Sequence, residues 1–164
     1  MKGFITGIIC CGIIFSAGAQ NKSNVQKAYA YVKRSFPGMV RVDEKGKQMA
    51  PIMQVERFIY VETKAGQKPV VDKAYYYDNR VYAVKATRIK EQRVEIGKKK
   101  TEGTPIIISP KKGNILWQLE LSEIEMNGPP NPVERGKQVI LKGKTASTKY
   151  SIANETEIEP DIRG

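Results

Sequence analysis

Apolar and polar residues alternate along most of this chain with the period of two that a β-strand requires, and no long stretch carries the 3.6-residue period of an amphipathic helix. The densest runs lie between Val55 and Ile96: Val55 to Glu62, Pro69 to Tyr77, Arg80 to Arg88 and a shorter one from Arg93 to Ile96. The turn formers Ala65-Gly66-Gln67-Lys68 and Asp78-Asn79 punctuate the first three, and β-branched and aromatic residues suited to a pleated surface fill the runs. Read together they are adjacent strands of an organising sheet. Phe58-Ile59-Tyr60-Val61 is apolar on both faces, which predicts a central strand covered on both sides or one with an amphipathic tyrosine face. If Asp78 and Asn79 are the two turn residues, Tyr77 pairs with Arg80 and Tyr75 with Tyr82.

Outside that stretch, Val25 to Ser35 sets Tyr29 and Tyr31 against Ala28, Ala30 and Val32, a strand pattern for which a helix starting near Asn24 is the competitor. Phe36-Pro37-Gly38 is a turn, Met39 to Val42 a short strand, and Glu44 to Lys47 another turn. Pro105 to Ser109 and Ile115 to Leu121 flank Pro110 to Asn114 as a long-loop hairpin, with Ile115, Trp117, Leu119 and Leu121 on one face. The parity breaks after Leu121, where Glu123 and Glu125 occupy the apolar face, so a bulge or strand end is expected near Ser122. Asn127 to Pro132 is a proline-rigid loop; Gln138 to Leu141 and Thr148 to Ile152 return to complete the sheets. The fold class is therefore all-β, an antiparallel β-sandwich or partly open barrel of about 8–10 short strands with little or no helix.

The N-terminus stands apart from this pattern. Lys2, the apolar run Phe4 to Phe15 and the small-x-small Ala17-Gly18-Ala19 make residues 1–19 a cleaved signal peptide, the run being too short to span a bilayer. Residues 20–153 are then a single β domain, and 154–164 an acidic, flexible tail. An exported protein follows, in the periplasm, at the cell surface or secreted, with no transmembrane segment after cleavage. Cys10 and Cys11 leave with the signal, and neither has the surroundings of a lipid-attachment cysteine.

Charge narrows the class of partner. The chain carries +11, and Gln20 to Gln118 holds 21 lysines and arginines against 9 carboxylates, whereas Leu119 to Gly164 holds 6 against 8. A basic surface attracts anions, and export makes nucleic acid the least suitable of them. The chain has no histidine, so a nucleophile served by an imidazole base and a zinc site built on imidazole or thiolate are both outside its means after signal removal. Glu123 with Glu125, and Glu155, Glu157 and Glu159, repeat every second residue but sit in polar segments read as solvated. No calcium-loop pattern is present, and Gly143-Lys144-Thr145 lacks the earlier glycine of a phosphate loop. No cofactor and no metal are expected.

One constellation is left for recognition. Tyr60, Tyr75, Tyr77 and Tyr82 with Arg57, Arg80 and Lys85 form a candidate aromatic and cationic sheet face, suited to a protein partner, an acidic glycan or an envelope surface. The competing expectation is that these tyrosines simply pack inside the fold. The leading functional expectation is an exported, non-enzymatic binding module. The alternatives are a structural subunit of an envelope assembly that pairs through an edge strand such as Gln138 to Leu141, and a carboxylate-dependent glycan-active enzyme.

Overall fold

The computed structural model describes residues 24–36, 42–49, 53–125, 136–144 and 148–160. The expected signal segment, most of the Met39 to Val42 strand, the proline-rich loop after Asn127 and the last four residues lie outside them. Ten strands and no helix are found among the described residues. They are β1 (Val25–Ser35), β2 (Gln54–Lys64), β3 (Lys73–Tyr76), β4 (Val81–Arg88), β5 (Val94–Lys98), β6 (Pro105–Ile108), β7 (Asn114–Ile124), β8 (Val139–Lys142), β9 (Lys149–Ile152) and β10 (Glu155–Ile158).

Eight of them form one sheet in the order β10-β1-β2-β7-β4-β3-β8-β9, and β5 pairs with β6 in a separate hairpin. Only Ala153 and Asn154 separate β9 from β10, so residues 149–158 follow one bent path that pairs with β8 in its first half and with β1 in its second. That shared path nearly closes the sheet, and the all-β expectation is met.

The alternation read from the sequence decides what the closed sheet encloses. Ala30 of β1, Ile59 and Val61 of β2, Leu119 of β7, Tyr82 of β4, Ala74 and Tyr76 of β3, Val139 and Leu141 of β8 and Ile152 of β9 pack into one interior cluster. Each fully buried valine, leucine or isoleucine side chain there contributes on the order of 1.5–3 kcal/mol. Trp117 donates its indole N–H to Thr63 Oγ1 at 2.9 Å, which gives this large ring a polar partner as it packs on the core. The opposite face of β1-β2-β7 carries a second cluster, Tyr31, Tyr60 and Leu116, roofed by Ile108 and Ile158. Phe58 and Tyr60 therefore serve one core while Ile59 and Val61 serve the other, as the two-sided apolar run predicts.

The β5-β6 hairpin reaches this second core because it is stitched to β10: Lys100 N–H donates to Glu157 O and Glu159 N–H to Lys98 O. Gly97 lies against β10 with φ 143°, and a Cβ there would come within 2.8 Å of Ile158 Cγ2. Glycine is the residue that allows this approach. The basic run Lys98-Lys99-Lys100 is thus a docked turn, with Lys99 paired to Glu102 and Lys100 to Glu157.

Several expectations are corrected. β2, β3 and β4 are not consecutive neighbours, because β7 lies between β2 and β4 and pairs with both. With both edges of β7 taken, Pro105 to Ile108 cannot form the expected hairpin with it and pairs with β5 instead. Pro69 to Asp72 is not strand, so β3 keeps only four residues. β8, the proposed edge strand, is flanked by β3 and β9 and offers no free edge. The β4–β7 register runs unbroken from Arg88↔Trp117 to Val81↔Ile124, so no bulge occurs at Ser122. Glu123 keeps the parity of Leu119 and Leu121 but lies at the open rim, 57 % exposed, where a carboxylate stays solvated. Finally, Glu155 and Glu157 are not a frayed tail but part of β10, paired in parallel with β1.

Candidate functional site

The fate of the predicted tyrosine and arginine face turns on one residue of register. Tyr76 N–H donates to Arg80 O and Asn79 adopts φ 63°, so the β3–β4 loop has three residues, Tyr77-Asp78-Asn79, with the last in the left-handed conformation that asparagine tolerates. Tyr82 therefore sits opposite Ala74, not Tyr75. A shift of one residue reverses every side chain. Tyr76 and Tyr82 meet inside, edge to face with ring centroids 5.3 Å apart, while Tyr75 faces outward beneath Lys142 Nζ, 4.6 Å from its ring centroid.

The predicted residues are consequently dispersed. Tyr82 and Arg57 point into the interior, and Tyr60 is buried in the second core on the other side of the sheet. Tyr77 is 50 % exposed at the turn. Arg80 bridges Asp78 and Glu123 at the rim, and Lys85, 80 % exposed, pairs with Glu120. No single face holds the seven.

Arg57, Tyr82 and Asp78 do come together, with Glu155, as an ionic group buried except at Asp78. The Arg57 side chain is only 4 % exposed; its guanidinium donates to Asp78 Oδ2 at 2.5 Å and to Tyr82 OH at 2.8 Å and stacks 4.2 Å from the Tyr76 ring centroid. Burial would lower its pKa, but the bonds to Asp78 and Tyr82 outweigh that and raise it. Glu155 Oε1 lies 3.7 Å from Arg57 Nε without a hydrogen bond, and burial raises its pKa against the opposing pull of Arg57 and Arg34. The Arg57 and Glu155 side chains are 4 % and 2 % exposed and Asp78 30 %, so the group joins β2, β4, β10 and the β3–β4 turn with only Asp78 reaching the surface.

The opposite end of the barrel is different in character. The start of β1, the end of β2 and the start of β7 are brought side by side by the pairs Val25↔Thr63 and Lys64↔Asn114. Between them lies a cleft of about 760 Å³ whose walls include Lys27, Lys64, Lys111, Lys112, Tyr29 and Asn114. Its floor is Glu62, 2 % exposed. Tyr29 OH donates to Glu62 Oε1 at 2.6 Å, while Asn114 Nδ2 and Lys111 N–H donate to Oε2 at 2.9 and 3.1 Å. Burial opposes ionisation of Glu62, but the donors Asn114, Tyr29 and Lys111 prevail, with help from the charge of Lys27, and its pKa is lowered. The same bond, after burial, pushes the Tyr29 hydroxyl upward.

Glu62 thus fixes the 109–114 loop against β1, and Ala65 N–H donating to Gly113 O closes the corner. Its charge is spent on three internal donors. The four lysines around it make no ion pair with any carboxylate among the described residues; Lys27 lies 4.6 Å over the Tyr29 ring. What results is a pre-shaped, net-positive cleft with hydroxyl and amide groups in its wall, a fit for an anion that also carries hydroxyls.

None of these cleft residues belongs to the predicted face. They come from positions 26–29, 62–65 and 109–114, and only strand pairing brings them together. One local signal pointed to the site: Glu62 is a carboxylate inside a β-branched run, Val61-Glu62-Thr63, where a charge needs partners. No protein-family model matches the sequence, and no curated protein and no solved structure matches it.

Proposed function

We propose that this chain is an exported, non-enzymatic binding module that captures an acidic glycan in the cleft between β1, β2 and the 109–114 loop. The observation that carries the reading is the convergence of Lys27, Lys64, Lys111 and Lys112, unpaired with any described carboxylate, on a cleft whose floor is already hydrogen-bonded. Uronate or sulfate groups meet the ammonium groups, and ring hydroxyls meet the amide of Asn114 and the hydroxyl of Ser109. The +11 charge of the chain supports encounter with such polymers at long range.

The test is charge reversal. Lys64→Glu/Lys111→Glu/Lys112→Glu is expected to weaken binding to polygalacturonate at least 100-fold while leaving the melting temperature near that of the parent. Affinity of the parent should fall steeply with added salt, as exposed charge pairs are screened over about 8–10 Å at physiological ionic strength. A matched reversal of Lys98, Lys99 and Lys100, two of which are already engaged by Glu102 and Glu157, should change little. Equal losses in the two triple variants would mean that the charge of the whole surface, not this cleft, binds the polymer.

A further inference from the structure

The barrel wall has an opening. The β3–β4 ladder ends at Lys73↔Ala83, with one further bond from Val84 N–H to Asp72 O, because Pro69 to Val71 runs past β4 outside the ladder. From Lys85 onward the β4 ladder among the described residues is with β7 only. Beside it lies a groove of about 350 Å³ with an apolar floor of Val71, Val84 and Ala86, all packed against the interior core. Lys68, Lys85 and Lys144 stand around it together with one carboxylate, Asp72, so its charged lining is net cationic.

The wall of this groove is built, not incidental. The side-chain amide of Asn24 donates to Lys68 O and its Oδ1 accepts from Val70 N–H at 3.1 Å, which ties the 68–70 segment to the start of β1. Thr63 Oγ1 donates to Gln67 O at 2.7 Å just before it. On the far side Gly143 lies so close that a Cβ would meet Val70 O at 2.8 Å. A trough held on both sides, apolar below and net cationic at the rim, is complementary to an amphiphile with an anionic head.

We propose that this groove binds a single-chain anionic amphiphile, a fatty-acid-like molecule, with its chain along Val71, Val84 and Ala86 and its carboxylate at Lys68 and Lys144. Charge complementarity selects the sign of the head: Lys68 and Lys144 have no ion-pair partner among the described residues and outnumber the single carboxylate of the lining, Asp72, whereas Lys85 is paired with Glu120. The size of the groove admits one chain, not a bilayer. This site is separate from the glycan cleft, with which it shares no lining residue.

The test is calorimetric titration of the full chain with decanoate below its micellar range, alongside decyltrimethylammonium, acetate and anionic phospholipid vesicles. One decanoate per chain is expected to bind, with the cationic amphiphile at least tenfold weaker and acetate not detectable. Lys68→Glu/Lys144→Glu, at exposed positions, should weaken decanoate at least tenfold, and Ala86→Trp should abolish binding by filling the trough. If Ala86→Trp does not fold, the lysine pair decides alone. The proposal is overturned by equal affinity for both head charges, by unchanged decanoate binding in the lysine variant, or by vesicle binding without decanoate binding, which would identify a membrane surface instead.

Discussion

Replacing Arg57 by Ala is expected to lower stability by about 3–5 kcal/mol, because removing one partner of a buried ion pair strands the other. The change removes the donors to Asp78 and Tyr82 and the cation stacked on Tyr76, and leaves the Glu155 carboxyl buried with its nearest countercharge gone. For a domain of this size that corresponds to a fall in melting temperature on the order of 10 °C or more. Urea unfolding with an unchanged slope and a lower midpoint is the readout.

The double replacement Arg57→Met/Glu155→Leu, which exchanges the pair for apolar groups of similar length, should recover most of the loss. The pH dependence adds a sign. The pKa of Glu155 is raised by burial, so its contribution favours the fold below the ordinary carboxylate range and is lost as pH rises through its folded value. Without Arg57 that value climbs further, so the deficit of Arg57→Ala should be smaller at pH 5 than at pH 8. A variant within about 1 kcal/mol of the parent at neutral pH would mean that Arg57 is not held in the interior.

Glu62→Ala should be the second large loss, about 2–4 kcal/mol, since Tyr29 OH, Asn114 Nδ2 and Lys111 N–H all lose their acceptor at once. Here the sign with pH is the reverse of that at Glu155. Its pKa is lowered in the fold, so its contribution is present above the ordinary carboxylate range and disappears as pH falls through the depressed folded value. Glu62→Gln retains the shape but titrates no longer, and the acid limb of its stability curve should be flatter than the parent's. Acid unfolding curves that superimpose for the parent and Glu62→Gln would show that this carboxylate is not the anchor of the cleft.

What was legible in the sequence was local periodicity, and it placed the strands well. Val25–Ser35, Gln54–Lys64 and Val81–Arg88 fall where alternation puts them, and Trp117 with Leu119 and Leu121 faces the core. Neighbour order was not legible, since it depends on contacts between distant segments: β7 inserts between β2 and β4 although some fifty residues separate it from the end of β2. The face assignment failed through a single turn. A two-residue and a three-residue loop are both compatible with Tyr77-Asp78-Asn79, and the longer one, closed by Asn79 at positive φ, turns Tyr82 inward. The alternating carboxylates misled for a related reason. Glu123 is solvent-facing as read, but Glu155 is buried beside Arg57 and Glu157 is half-buried beside Arg34, because β10 pairs with β1 at that end of the sheet. At that end arginines accompany the carboxylates, whereas the lysines of the cleft at the other end have no ion pair with a described carboxylate.

The decisive measurement is the map of backbone amide shifts on titrating the ¹⁵N-labelled protein with a short uronate oligosaccharide. Perturbations concentrated on Gln26 to Tyr29, Lys64, Ala65 and Ser109 to Asn114 are the expected result, with the β3–β4 turn unmoved. Perturbations centred on Tyr75, Tyr77 and Arg80, or none at saturating ligand, would contradict the assignment of recognition to the lysine cleft.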